Sequence, residues 1–308
     1  MKIISLVENI QGQAGCGVEH GLSLYIETEK HRLLVDTGAS ELLTENAAKK
    51  GVDLTRVDTV ILSHGHYDHG GGIPAFTALN PEAKIYMQDK AGGAYYSVHG
   101  EKARYIGLPE GVTDLPQVQI LHGDYRIDEE LSLFTDIPYK VPMPETNRDL
   151  MLKEGETYKQ DLFEHEQCLV ISQGDCRVLL SGCAHHGILN ILAHYRSLYK
   201  KDPDYVISGF HLMKKGDYDE EEIREIIRMA CAMKRYRTTF YTGHCTGTEA
   251  YDIMKKVLGE KLHYLHCGDQ VEIRPRKRRK SFMKWHKFFA WATVCCFILT
   301  MITGYEHK

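Results

Sequence analysis

The stretch LSHGHYDHGGG, residues 62–72, decides how this 308-residue chain is read. It overlaps the end of VDTVILSH, a run rich in β-branched residues that reads as a buried strand. Four potential metal ligands, His64, His66, Asp68 and His69, fall within six residues of that strand's end. Gly65 and Gly70–Gly72 permit the tight backbone geometry that turns such side chains inward. Imidazole and carboxylate donors suit zinc and are also compatible with iron and manganese. The bland alternative is a polar turn of unrelated histidines, but three histidines and an aspartate at HxHxDH spacing rarely coincide by chance.

Outward from this loop the chain alternates strands and helices. MKIISLVEN, GLSLYIET and HRLLVDTG read as strands, the last two separated by the polar turn EK. SELLTENAAKKG reads as a helix ending at Gly51 with lysines in its last turn, and KIYMQ as a further strand. Periodicity fades over 91–164, where only short apolar pieces such as VQIL and LSLF stand out. A long irregular segment inside a domain is usually functional, so a cap or loop insertion over the site is expected there. CLVISQ and CRVLL then flank the turn GD, a hairpin signal. Helices (ILNILAHYRSLYK, DEEEIREIIRMACAMK, TEAYDIMKKVLG) alternate with strands (DYVISGF, TTFYTGH, LHYLHCG) to the end of the domain. Strand-rich halves carrying helices fit an α/β chain of four layers, two sheets face to face with helices outside.

Hydrophobic residues at 43% and charged residues at 26% are enough for a sizeable core. Nine cysteines without a CxxC pair do not form a disulfide framework, which points to reduced thiols in a cytosolic compartment. The net charge of −4 conceals an asymmetry: residues 1–273 hold 29 basic and 41 acidic residues, a formal −12. Residues 274–287 hold eight basic residues and no acidic one, which marks a basic linker after a domain spanning 1–273. FFAWATVCCFILTMITGY, residues 288–305, contains 18 residues without a charge. At ~1.5 Å per residue it reaches about 27 Å, so a C-terminal transmembrane anchor is expected, with a buried helix as the alternative. The basic block predicts anionic lipid as a partner and a metal domain left in the cytoplasm, hence a membrane location. A body of charge −12 repels nucleic acid, so none is expected as a partner.

HGHYDHGGG resembles the signature loop of the metallo-β-lactamase fold superfamily, and LVDTG (34–38) resembles that superfamily's early aspartate-containing turn. EHGLS (19–23), SGCAHHGILN (181–190), SGFHL (208–212) and GHCTG (243–247) together resemble a narrower group. Its members are metal-dependent hydrolases related to dihydropterin–ribofuranosylaminobenzene phosphate synthases. The resemblance extends over most of residues 1–270 and implies an αββα sandwich. It also implies one or two divalent metal ions, with zinc favoured. His64 and His66 would hold a first metal and Asp68 and His69 a second, completed by His185 and His244. Where relatives carry a bridging aspartate this chain has Cys183, so the second site is left as weaker, thiolate-bound or empty. Asp36 is expected to orient a ligand or loop. His186, next to His185, is expected to face solvent or cap a helix. Thr246 and Glu249 have the spacing of a capping box that would aim a helix N-terminus at the pocket. His211, at another strand end, could position substrate or give a proton to a leaving group, a satisfied structural histidine being the alternative. Of the other histidines only His165 is singled out. Tyr95, Tyr96, Lys102 and Arg104 are weak candidates for substrate contact.

The expected function is metal-dependent hydrolysis of a small molecule, anionic or phosphorylated, with a metal-activated water and with Asp68 and His211 in catalytic roles. Synthase-type group transfer on a pterin-like phosphate and a non-catalytic, membrane-tethered metal sensor stand as alternatives. A di-iron redox enzyme is disfavoured by His66, where such relatives carry glutamate, and by the absence of a flavin module.

Overall fold

The computed structural model describes residues 1–12 and 15–273. Two seven-stranded mixed sheets form its centre. The first runs Gln270–Glu272, Lys2–Val7, Ser23–Glu27, Arg32–Val35, Thr59–Ile61, Lys84–Gln88, Val118–Leu121. Its first four strands are antiparallel, and those from Arg32 onward are parallel. The second runs Leu262–Tyr264, Thr239–Thr242, Tyr205–Ser208, Cys176–Ser181, Cys168–Gln173, Leu131–Phe134, Tyr125–Arg126. Here the first four are parallel and the remainder antiparallel.

Side-chain alternation builds the layers. Ile3, Leu24, Ile26, Leu33 and Val35 of the first sheet meet Leu169, Ile171, Val178, Leu180 and Ile207 of the second in one buried cluster. Their neighbours Ile4, Tyr25 and Leu34 point the other way, onto the helices Leu42–Lys49 and Ile73–Leu79. Val170, Leu179, Val206 and Phe240 do the same on the second sheet. There they pack on helices Ile188–Tyr199, Glu220–Lys234 and Thr248–Leu258, whose inward residues recur at helical spacing (Ile226, Ala230, Met233). The result is the αββα sandwich. Gly174 and Asp175 close the expected hairpin, pairing Gln173 with Cys176, and Gly174 takes the positive φ of +56° such a turn requires.

The segment 91–164 divides between two tasks. Tyr95–His99, Lys102–Tyr105, Leu150–Glu154 and Thr157–Gln160 form a separate four-stranded sheet. Val118–Leu121, Tyr125–Arg126 and Leu131–Phe134 instead extend the edges of the two main sheets. Val118–Leu121 and Tyr125–Arg126 are the outermost strands of their sheets, while Leu131–Phe134 is paired on both sides, with Cys168–Gln173 and Tyr125–Arg126.

The fold expectation needs one correction. Among the described residues no helix is long and apolar enough to cross a membrane. Residues 288–305, on which the transmembrane anchor and the membrane location were expected, lie outside the described residues, as does the basic linker 274–287. The transmembrane helix is therefore not part of the fold established here, and neither the tether nor the membrane location enters the functional reading.

Candidate metal centre

The parallel strands of both sheets end on the same side, and every candidate residue follows one of those ends. Asp36 follows Arg32–Val35, His64 follows Thr59–Ile61, and Cys183 and His185 follow Cys176–Ser181. His211 and His244 follow Tyr205–Ser208 and Thr239–Thr242. Ligands in α/β sheets collect at carboxyl ends because loops diverge there and leave a crevice. The turns are tight enough to force unusual backbones. Asp36, Ala184, His211 and His244 all take φ between +48° and +59°, each at a cost of about 1–3 kcal/mol. Gly182 has no room for a side chain, since a Cβ would lie 2.1 Å from Ser63 Oγ and 3.1 Å from His64 Nδ1.

Hydrogen bonds define the tautomers. Ser63 donates from its amide (2.7 Å) and its hydroxyl (2.7 Å) to the Asp36 carboxylate, so its oxygen accepts from His64 Nδ1 at 2.9 Å. His69 Nδ1 donates to Asp36 Oδ2 at 2.6 Å. Asn147 donates to the His185 carbonyl (2.7 Å) and accepts from His185 Nδ1 (2.8 Å). Asn9 Oδ1 accepts from His244 Nδ1 at 2.9 Å. With Nδ1 of all four rings engaged by these partners, four Nε2 atoms are left facing inward. His64 and His185 present theirs to each other at 3.3 Å, and His69 and His244 at 3.2 Å. Between the neutral rings of His64 and His185, lone pairs repel at such a distance unless a cation lies between them, which is the arrangement a metal site requires.

The remaining residues complete two groups. His66 packs with ring centroids 4.6 Å from His64 and 4.9 Å from His185, and its buried Nε2 has no hydrogen-bond partner. Asp68 Oδ2 lies 3.2 Å from His244 Nε2, 3.3 Å from His20 Nε2 and 3.7 Å from His69 Nε2. Cys183 Sγ, 3.1 Å from His69 Nε2, belongs to both groups: with His64 and His185 on one side, with His69 and His244 on the other. Burial, then the neighbouring imidazoles, holds His64 and His185 well below the ordinary histidine pKa, and His66 to about 3. Burial works against the Asp68 carboxylate, but His69, His20 and His244 outweigh it and hold its pKa well below the usual range. The donor set is thus neutral imidazole on one side and imidazole with carboxylate on the other. Nitrogen, oxygen and sulfur donors of this kind fit divalent metal ions.

His186 departs from expectation. It is buried, not solvent-facing, and caps no helix. Its Nδ1 lies 2.7 Å from Glu166 Oε2, and its ring stacks on Tyr139 at 5.1 Å. Glu166 also accepts from the backbone amides of His185 (2.7 Å) and His186 (3.0 Å), fixing the turn that aims the two rings apart. The capping box is likewise absent. Helix Thr248–Leu258 begins at Gly247 without a side-chain cap. Thr246 Oγ1 instead accepts from the amide of Phe210 at 2.8 Å and pairs with Thr242 Oγ1 at 2.6 Å. His165 is fully partnered, accepting from Gly65 N (2.9 Å) and facing Asp161 Oδ2 (3.0 Å), so it braces the ligand loop. Glu166, Asn147, Asn9, Asp161 and Cys245 carry no motif signal of their own, except that Cys245 stands inside GHCTG.

A pocket of about 200 Å³ opens onto the centre, with His66, Asp68, Cys183, His185 and His211 among its lining. The small sheet and its flank contribute Ser97, His99, Arg104, Asp149 and Leu150. Of the four weak substrate candidates only Arg104 lines this pocket. Tyr95 is buried against His165, its hydroxyl bound to the Lys90 carbonyl, while Tyr96 packs on Tyr105 and Tyr158.

An αββα sandwich with histidines converging at its strand ends defines a class, and the family comparison agrees. The model of the metallo-β-lactamase superfamily matches residues 16–227, and the chain belongs to that superfamily. Among its relatives is the 7,8-dihydropterin-6-methyl-4-(β-D-ribofuranosyl)-aminobenzene-5'-phosphate synthase of Methanocaldococcus jannaschii. The two are 28% identical, with 88% of this chain and 96% of the synthase covered. An uncharacterized protein of the same organism is 26% identical, over 83% of this chain and 94% of its own length. A solved metal-dependent hydrolase of the β-lactamase superfamily superposes with a TM-score of 0.75. It is 28% identical and covers 89% of this chain and all of its own.

Proposed function

We propose that the chain is a metal-dependent hydrolase acting on a small, anionic substrate. The observation that carries this is the convergence of four inward Nε2 atoms with the ionised Asp68 at the floor of a pocket. In this reading His64, His66 and His185 form one ligand group and Asp68, His69 and His244 the second, with Cys183 between them. The imidazole and thiolate donors favour zinc over manganese. Divalent ions held there would lower the pKa of a bound water towards neutrality and polarise a carbonyl or phosphoryl oxygen. The chain's own residues supply the orientation. Asp36, Asn147 and Asn9 keep the ring protons on Nδ1, and Asp68, steadied by His20, aligns the attacking water. Arg104, stacked 5.4 Å over Tyr67 and without a carboxylate partner among the described residues, faces the pocket as a counter-charge for an anionic substrate.

A second reading is synthase-type group transfer on a phosphorylated, pterin-like compound. It is favoured by a likeness to the archaeal synthase that covers nearly the whole of both chains. Assays on carboxylic esters, thioesters, phosphate esters and a pterin-like phosphate separate the two. Hydrolysis of simple substrates supports the first reading, and a strict need for the phosphorylated pterin supports the second. The His66→Ala variant is expected to lose metal content and turnover together, by at least about 100-fold. Undiminished turnover in a metal-free variant would end the metal-hydrolase reading.

A further inference from the structure

Cys245 enters neither ligand group, yet the fold brings its sulfur to the edge of both. Its thiol points at the Cys183 carbonyl, 3.7 Å away. Gly209 makes the space for it, because a Cβ at that position would lie 2.3 Å from the sulfur. The three strand ends that carry Cys183, His211 and Cys245 are locked together by backbone hydrogen bonds. Leu212 and Met213 donate to the Cys245 carbonyl at 2.9 and 2.8 Å, and Gly209 donates to Gly182 at 2.8 Å. As a result both sulfurs and a ring nitrogen of His211 lie within 4.8 Å of one another. His211 is held at a φ of +48°, and its buried Nδ1 has no hydrogen-bond partner. A purely structural packing of two thiols needs neither the strained histidine nor the unsatisfied nitrogen.

We propose that Cys183, His211 and Cys245 form a sulfur-rich metal position within the centre, for a soft d¹⁰ ion such as zinc. The inference rests on the metal-centre reading above and deepens it. Cys183 is the shared donor, since its sulfur also belongs to the His64–His185 and His69–His244 groups. Cys245 and His211 are terminal donors, so the centre has a soft end at the second sheet and a harder end at Asp68. Two thiolates neutralise a divalent ion, and loading releases their protons. The same donors discriminate against manganese and magnesium, which prefer oxygen.

The full-length protein, stripped of metal and loaded with cobalt(II), tests this through the thiolate-to-cobalt absorption in the near ultraviolet. The wild type is expected to show the band. Cys245→Ser is expected to lose about half of it, one of two sulfur donors being removed. His211→Ala should keep the band while binding cobalt at least about tenfold more weakly. Cys231→Ser, which removes an exposed thiol on the helix Glu220–Lys234, should change nothing. Cobalt bound with an undiminished band in Cys245→Ser overturns the sulfur-rich position and leaves the metal centre standing. A wild-type chain that takes up no cobalt overturns both. Should the variants fail to fold, cadmium-113 NMR of the wild type reads the same claim directly. A shift in the two-sulfur range supports it, and one in the nitrogen–oxygen range overturns it.

Discussion

Histidine stands at both ends of the sandwich, and its neighbours give it opposite characters. Where the parallel strands finish, His64, His66 and His185 face other imidazoles; burial and those neighbours keep them neutral, with lone pairs available. Where the same strands begin, His31 lies in the turn between Ser23–Glu27 and Arg32–Val35. Its Nδ1 is 2.8 Å from Asp58 on the first sheet, and its Nε2 is 2.8 Å from Asp128 beside the second. Partial burial opposes the charge there, but the two carboxylates outweigh it and raise the pKa. One end presents neutral imidazoles as candidate ligands, and the other uses histidine as a cationic clamp between sheets. The difference lies in what faces each ring, since burial pulls in the same direction at both ends.

The comparison can be broken most forcefully at Asn147. Its amide holds both the ring proton and the carbonyl of His185, so Asn147→Ala should weaken metal binding about 10–100-fold while leaving the fold intact. Chelator competition measures it, and unchanged affinity would mean that the tautomer is set elsewhere. A smaller and different effect is expected one residue from that ligand. His186→Ala should retain its metal but lose stability by about 1–3 kcal/mol, because buried Glu166 loses a charge-assisted partner. Urea unfolding alongside metal analysis separates the two outcomes, and loss of metal instead would make His186 a ligand.

The smallest effect belongs to His31. A histidine whose pKa is raised on folding stabilises fully below its unfolded value of about 6.5, and that contribution fades as pH climbs through the raised folded value. Because the clamp is partly solvated, less than about 1 kcal/mol is expected. The stability advantage of wild type over His31→Gln should therefore shrink from pH 6 to pH 9. A constant difference across that range would show that the ring acts without its charge.

Much of the candidate site is legible because its first four residues lie in one loop. HGHYDH needs no tertiary information to suggest a metal, and GC-A-H and GH-C-T supplied His185 and His244 through resemblance to a family. His185 and His186 are harder to separate by spacing, and His186 is buried against Glu166 where the sequence suggests solvent or a helix cap. Its partner Glu166 is distant in the pattern and reaches it only because Cys168–Gln173 pairs with Cys176–Ser181. The supposed capping box failed for a similar reason. Thr246 satisfies the spacing rule, but Phe210 on a neighbouring strand end competes for its oxygen and wins.

The amino-acid sequence by itself determined the layers, through alternating apolar residues in strands and helical spacing outside them, and it marked a candidate metal-binding loop. Those are local properties, set by which faces of a short segment must be buried and by ligands adjacent in the chain. Tertiary structure alone decided that the irregular stretch 91–164 splits between a small sheet over the site and edges of both main sheets. It also decided which nitrogen of each histidine keeps its proton, and that Cys245 meets Cys183 and His211. These depend on strand ends separated along the chain arriving at one place, where a hydrogen-bond partner or a second sulfur can be far away along the backbone and only a few ångströms away in space.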